Sequence, residues 1–132
     1  MNYSELLQIA IKAKSNSYSP YSKFRVGAVL VSSEGNLYSG VNVENSSYGL
    51  TMCAERTAVF KAVSEGEKDF KTIVITSDAD DFIPPCGACR QVMMEICGPE
   101  LEVVLSNSER EIRILKLKEL LPLSFNKEYL NR

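Results

Sequence analysis

Cys53 and Glu55, followed further along by Cys86 and Cys89, are side chains that together could hold and use a metal ion. They lie in the runs Cys53-Ala54-Glu55-Arg56 and Pro84-Pro85-Cys86-Gly87-Ala88-Cys89-Arg90. Three thiolates can bind zinc and leave its fourth position open for water, while a carboxylate beside the metal moves protons. The chain contains no His. A zinc site must therefore be built from thiolates or carboxylates, and a general base must be Glu, Asp, Lys, Tyr or Cys.

Cys86 and Cys89 stand three residues apart at an expected helix start, which puts both thiols on one face. Cys53 also stands at an expected helix start. The positive end of each helix dipole favours thiolate. Cys97 lies eight residues beyond Cys89 on what reads as the same helix. At about 1.5 Å rise per residue that is roughly 12 Å along the axis, too far for one ion. Cys97 reads instead as a small buried apolar residue. The expected ligands are Cys53, Cys86 and Cys89, around one Zn2+ per chain with its fourth position open.

Three thiolates outweigh the charge of one Zn2+, which opposes making hydroxide from water. Arg56 is the candidate to offset that charge by donating to thiolate sulfur. Arg90 is a second candidate, with a surface or interface pair as its plainer role. Glu55 can flank the metal without ligating it, take a proton from water and pass it to a leaving group. Those parts describe hydrolytic deamination of an aminopyrimidine or aminopurine. Cys86 and Cys89 alone would equally suit a redox pair or half of a structural zinc site. The redox reading leaves Cys53 and Glu55 idle; a non-catalytic zinc scaffold stays open.

Several elements must position these groups. Leu6, Leu7, Ile9, Ala10 and Ala13 recur at helical spacing, so a first helix is expected from about Ser4 to Ser17, with Pro20 beyond it. Arg25 to Val31 reads as a strand, Ser33-Glu34-Gly35-Asn36 as a turn, and Leu37 to Val43 as the hairpin partner. A polar loop, Glu44 to Thr51, leads into a helix from about Cys53 to Ser64. Ile73 to Thr76 is a short buried strand, and Asp78 to Pro85 an acidic loop ending at the Cys pair. A helix is expected over Gly87 to Ile96, stopped by Gly98-Pro99. Leu101 to Leu105 and Ile112 to Leu115 are strands joined closely enough for an antiparallel hairpin. The expected fold is α/β: a five-stranded mixed sheet flanked by helices, with its last two strands antiparallel.

The 132 residues suffice for a single domain over 1–132. A net charge of −2 and the lack of a basic run argue against a nucleic-acid partner. The longest apolar stretch, Val26 to Val31, is far too short for a bilayer, so no membrane association is expected. Met1-Asn2-Tyr3-Ser4-Glu5 has no basic n-region, so no signal peptide is read and a cytoplasmic location is expected. Thiols stay reduced there, which favours metal or redox chemistry over disulfides.

Four runs together resemble the small homotetrameric branch of the cytidine/deoxycytidylate deaminase family. They are Pro20-Tyr21-Ser22-Lys23-Phe24-Arg25-Val26-Gly27-Ala28, Gly40-Val41-Asn42-Val43-Glu44-Asn45, Cys53-Ala54-Glu55-Arg56-Thr57-Ala58 and Pro85-Cys86-Gly87-Ala88-Cys89-Arg90-Gln91. Chain length and an all-Cys ligand set resemble that branch rather than the dimeric one with a His ligand. The resemblance implies a homotetramer with shared active sites and a nucleoside substrate. It implies deamination of cytidine and 2′-deoxycytidine to uridine and 2′-deoxyuridine in pyrimidine salvage, with a related aminopyrimidine as the alternative substrate. It further implies that Asn42 and Glu44 bond the ribose 3′-hydroxyl and that Phe24 packs on the pyrimidine. The Ala54 amide would hold the base O2, Glu55 would also contact N3, and Tyr48 and Phe125 would reach a neighbouring subunit's pocket. Ser46-Ser47 departs from the family's small residues, which include Ala.

Overall fold

The computed structural model describes residues 1–130. Helix α1 spans Tyr3–Lys14, and the Asn2 side chain caps it by accepting the Glu5 N–H at 2.8 Å. Leu6, Leu7 and Ala10 form its buried stripe. The helix ends at Lys14, short of the expected Ser17. Past that point the Ser15 hydroxyl bonds the Lys12 carbonyl at 2.7 Å and Ser17 turns its hydroxyl onto Asn42, so serine side chains compete with the helical ladder.

Strands β1 (Val26–Ser32) and β2 (Leu37–Val41) form the expected hairpin. Helix α2 (Ala54–Ser64) follows, then β3 (Phe70–Ser77), which is longer than the Ile73–Thr76 core read from sequence. Helix α3 (Gly87–Cys97) crosses over to β4 (Glu102–Ser106), which runs parallel to β3. Strand β5 (Ile112–Lys116) pairs antiparallel with β4, and one further turn, α4 (Leu117–Leu120), closes the edge. The sheet order is β2-β1-β3-β4-β5. A 3-10 turn at Tyr48–Leu50 sits inside the expected polar loop.

Alternation along the strands separates two cores. Ala28, Leu30, Ile73, Ile75, Val103 and Leu105 pack with residues of α2 and α3 on one face. Val29, Val31, Val74 and Val104 pack with α1 on the other. The result is a helix–sheet–helix sandwich.

Gly40 sets how closely α2 approaches. A Cβ there would overlap the Ala54 carbonyl oxygen and the Ala58 nitrogen, so only glycine lets the first turn of α2 lie against β2. That turn carries the chemistry-bearing residues. No helix among the described residues is long and apolar enough to cross a membrane.

Candidate active site

Two helix starts meet at one point. Cys53 is the residue ahead of α2 and Cys86 the residue ahead of α3, both with extended backbone; Cys89 lies in the first turn of α3. The Sγ atoms of Cys53 and Cys86 are 3.6 Å apart and those of Cys86 and Cys89 are 3.4 Å apart. All three lie within 4.8 Å of one another. A disulfide needs about 2.05 Å, so these are separate thiols. Tetrahedral zinc with bonds of about 2.3 Å to sulfur spaces its ligands by roughly 3.7 Å, close to both of these separations. Cys97 is outside the trio, and burial pushes its thiol up to about 12.

The electrostatics suit a cation. Cys53 is pulled down to about 5, first by a hydrogen bond from Cys89 and then by Arg56. Cys89, as the donor of that bond, is pushed upward. Metal binding displaces thiol protons, so a thiol whose proton is already loosened in this way is a ready ligand. Arg56 Nη2 donates to Cys53 Sγ at 3.5 Å, and the thiolate raises the guanidinium's affinity for its proton. The Arg56 Nε is buried without a hydrogen-bond partner among the described residues. Arg90 does something else: it donates to the carbonyls of Pro85 at 2.8 Å and Leu120 at 2.7 Å. It ties the loop before Cys86 to the end of α4 rather than bonding the thiols.

Glu55 is 5% exposed, and burial pushes its carboxyl up to about 7. A group poised there can both accept and release a proton at neutral pH. It opens onto a cleft of about 340 Å³ that Cys53 and Cys86 also line. Phe24, Asn42, Glu44 and Ala54 line the same cleft, so four residues singled out by resemblance converge on the thiols. Tyr48 and Phe125 do not line it: they are 79% and 60% exposed. Phe125 stacks on Tyr129 with ring centres 5.7 Å apart.

Sequence reasoning passed over Ser22, Thr76 and Ser106, which also line the cleft. Thr76 and Ser106 sit near the carboxyl ends of β3 and β4. Their signal was topological, since a crevice forms outside the carboxyl ends of parallel strands.

The family model for the cytidine and deoxycytidylate deaminase zinc-binding region matches residues 1–105. The chain belongs to this family. It is 47% identical over 131 residues to a cytidine deaminase of Halalkalibacterium halodurans, covering 99% of each chain. It is 50% identical over 132 residues to a probable cytidine deaminase of Dictyostelium discoideum, covering 97% of this chain and 88% of the other. A crystal structure of a cytidine deaminase from Burkholderia pseudomallei superposes with a TM-score of 0.92 at 46% identity, over 95% of this chain and 100% of that one. Within this deaminase family, the Cys53, Cys86 and Cys89 trio fits one zinc ion per chain.

Proposed function

We propose that residues 1–132 form a single catalytic domain that hydrolyses cytidine and 2′-deoxycytidine to uridine and 2′-deoxyuridine plus ammonia, in cytoplasmic pyrimidine salvage. The observation that carries the reading is Glu55: a buried carboxyl held up at about 7, on the wall of the cleft that Cys53 and Cys86 line. Zinc held by Cys53, Cys86 and Cys89 supplies Lewis acidity that lowers the pKa of water and yields a nucleophile at neutral pH.

Glu55 accepts one proton of the attacking water and delivers it to N3 of the base. It then takes the second proton from the new C4 hydroxyl and passes it to the departing amine as the C4 carbonyl forms. One water is consumed and one ammonia leaves, so Glu55 ends as it began. The Ala54 N–H holds O2, and Phe24 packs on the ring. Arg56 offsets the excess negative charge of the thiolates, in keeping with its bond to Cys53.

Asn42 and Glu44 suit a single hydroxyl. Glu44 has about four lone-pair sites. Three accept bonds: from the Tyr21 N–H at 3.0 Å, the Ser22 N–H at 3.1 Å and the Ser22 hydroxyl. Asn42 Oδ1 accepts from the Val26 N–H at 2.9 Å and from the Ser17 hydroxyl, and Nδ2 donates to the Phe24 carbonyl at 2.8 Å. One acceptor on Glu44 and one donor on Asn42 are left. A hydroxyl uses one of each, in agreement with the ribose 3′-hydroxyl; a phosphate there would be repelled by Glu44. With the net charge of −2, this favours a free nucleoside over a polynucleotide.

Tyr48 and Phe125 belong to a homotetramer in this reading, each reaching a neighbour's pocket. Their exposure outside their own cleft supports that. The test is cytidine turnover followed by ultraviolet absorbance, with and without a chelator. Turnover that the chelator abolishes and zinc restores supports the proposal. Zinc-loaded protein that leaves cytidine untouched but turns over another aminopyrimidine overturns the substrate assignment.

A further inference from the structure

The stretch between Tyr18 and β1 has neither helix nor strand, yet its Ser22 and Phe24 line the cleft, as does Val26 at the start of β1. Lys23 within it has φ of 59°, a left-handed backbone uncommon for any residue but glycine. Immediately before it, the Tyr21 and Ser22 N–H groups and the Ser22 hydroxyl all donate to the Glu44 carboxylate. Strained backbone of this kind persists where surrounding bonds over-determine it.

Ser22 stands at the centre of those bonds. Its one hydroxyl proton goes to Glu44 Oε2, and its oxygen accepts the Phe24 N–H at 3.0 Å. The Phe24 carbonyl in turn accepts from Asn42 Nδ2. A continuous path thus runs from Glu44 through Ser22 and the backbone of Phe24 to Asn42, so that Ser22 links the three cleft residues assigned above to sugar and base, Glu44, Phe24 and Asn42. Without the hydroxyl, Oε2 and the Phe24 N–H each lose a partner, and Glu44 keeps only the two backbone bonds on Oε1.

We infer that Ser22 is a positioning residue whose hydroxyl orients the Glu44 carboxylate, leaving one acceptor site that pairs with the Asn42 amide on a single substrate hydroxyl. The inference rests on the reading that Asn42 and Glu44 bind the ribose 3′-hydroxyl. The Ser22 hydroxyl is also the leading cause holding Glu44 below the usual carboxylate range, which keeps it an acceptor. A plain turn-forming serine would affect folding and every substrate alike. A positioning serine affects only substrates that carry the hydroxyl.

The experiment compares kcat/KM for cytidine and 3′-deoxycytidine on the zinc-loaded enzyme. Wild-type protein should favour cytidine, and Ser22→Ala should shrink that preference roughly tenfold, the effect of losing a hydrogen bond to a charged group. Ser22→Thr, which keeps the hydroxyl, should restore it. An undiminished preference in Ser22→Ala overturns the role of Ser22 while leaving the sugar reading intact. A wild-type enzyme that does not distinguish the two nucleosides overturns the sugar reading and the inference with it. Should Ser22→Ala fail to fold, Ser22→Cys keeps the volume with a weaker donor; a preference equal to wild type in that variant also overturns the inference.

Discussion

Arg56 Nη2 lies 3.5 Å from Cys53 Sγ, so the guanidinium on the first turn of α2 bonds the thiol at that helix's own start. The pair puts a permanent cation against a ligand set whose charge exceeds that of its metal. Arg56→Gln keeps a donor but removes the charge. Cytidine turnover should then fall by about 10–100-fold, the usual scale for losing a group that supports metal ligands. Turnover and zinc affinity both equal to wild type would show that the charge is not needed.

Glu55→Gln should bind zinc normally and lose about 100–10,000-fold in turnover, the range for a positioned proton carrier. A variant that keeps its zinc and its native rate removes Glu55 from the mechanism.

The same substitution has a second signature in metal-free protein. Burial raises the folded carboxyl to about 7, above its unfolded value. Its stability contribution is therefore fully present at acid pH and lost as pH rises from the ordinary carboxyl range through about 7. Metal-free Glu55→Gln, which cannot ionise, should unfold at higher temperature than metal-free wild type at pH 8. The gain should approach about 3 kcal/mol at most and vanish near pH 4. Thermal denaturation at the two pH values tests the sign.

Asp78 works in the opposite direction. Arg25, bonded to it through Nε and Nη2 at 3.0 Å each, and Lys14 at 3.1 Å hold it well below the usual carboxylate range. Its contribution is present above the unfolded carboxyl value and lost as pH falls towards the depressed folded value. Asp78→Asn should cost roughly 1 kcal/mol at pH 7, modest because Arg25 is half exposed, and almost nothing at very low pH. Denaturant melts across pH check it; an equal cost at every pH would assign the loss to packing.

Gly40→Ala forces a methyl into the first turn of α2. Overpacking of this kind costs about 1–3 kcal/mol, and here the displaced backbone carries Cys53 and Glu55. Zinc affinity and turnover should therefore fall together with the melting temperature. Gly49→Ala, where a Cβ meets nothing within 4 Å, is the control and should leave zinc binding unchanged.

The thiol trio was legible because its chemistry depends on residue type and on two helix starts, both written locally. The helices and strands were legible for a similar reason: the alternation of Val29 and Val74 against Ile73 and Ile75 follows directly from side chains pointing to opposite faces. What local pattern could not supply was long-range bonding. Helix α1 stops early because Ser17 serves Asn42, twenty-five positions away. Arg90 binds the Leu120 carbonyl, and nothing near Arg90 in sequence announces that partner. Ser22 lies within one of the family-like runs, yet its bond to Glu44 joins residues twenty-two positions apart. Tyr48 and Phe125 stand exposed and outside the cleft of their own chain, a placement that local pattern does not announce.

Helix starts are ordinarily closed by Ser, Thr, Asp or Asn side chains. Here the two residues in those positions, Cys53 and Cys86, make no such bond to their own helices. Each helix gives up a fastening of about 1 kcal/mol, and the shared ion fastens both at once. Order at two distant points of the chain is thereby linked to a single binding event. A zinc-depleted molecule should fray first at residues 52–56 and 85–89, the stretches a protease would reach. The protein's lifetime would then register the supply of its metal.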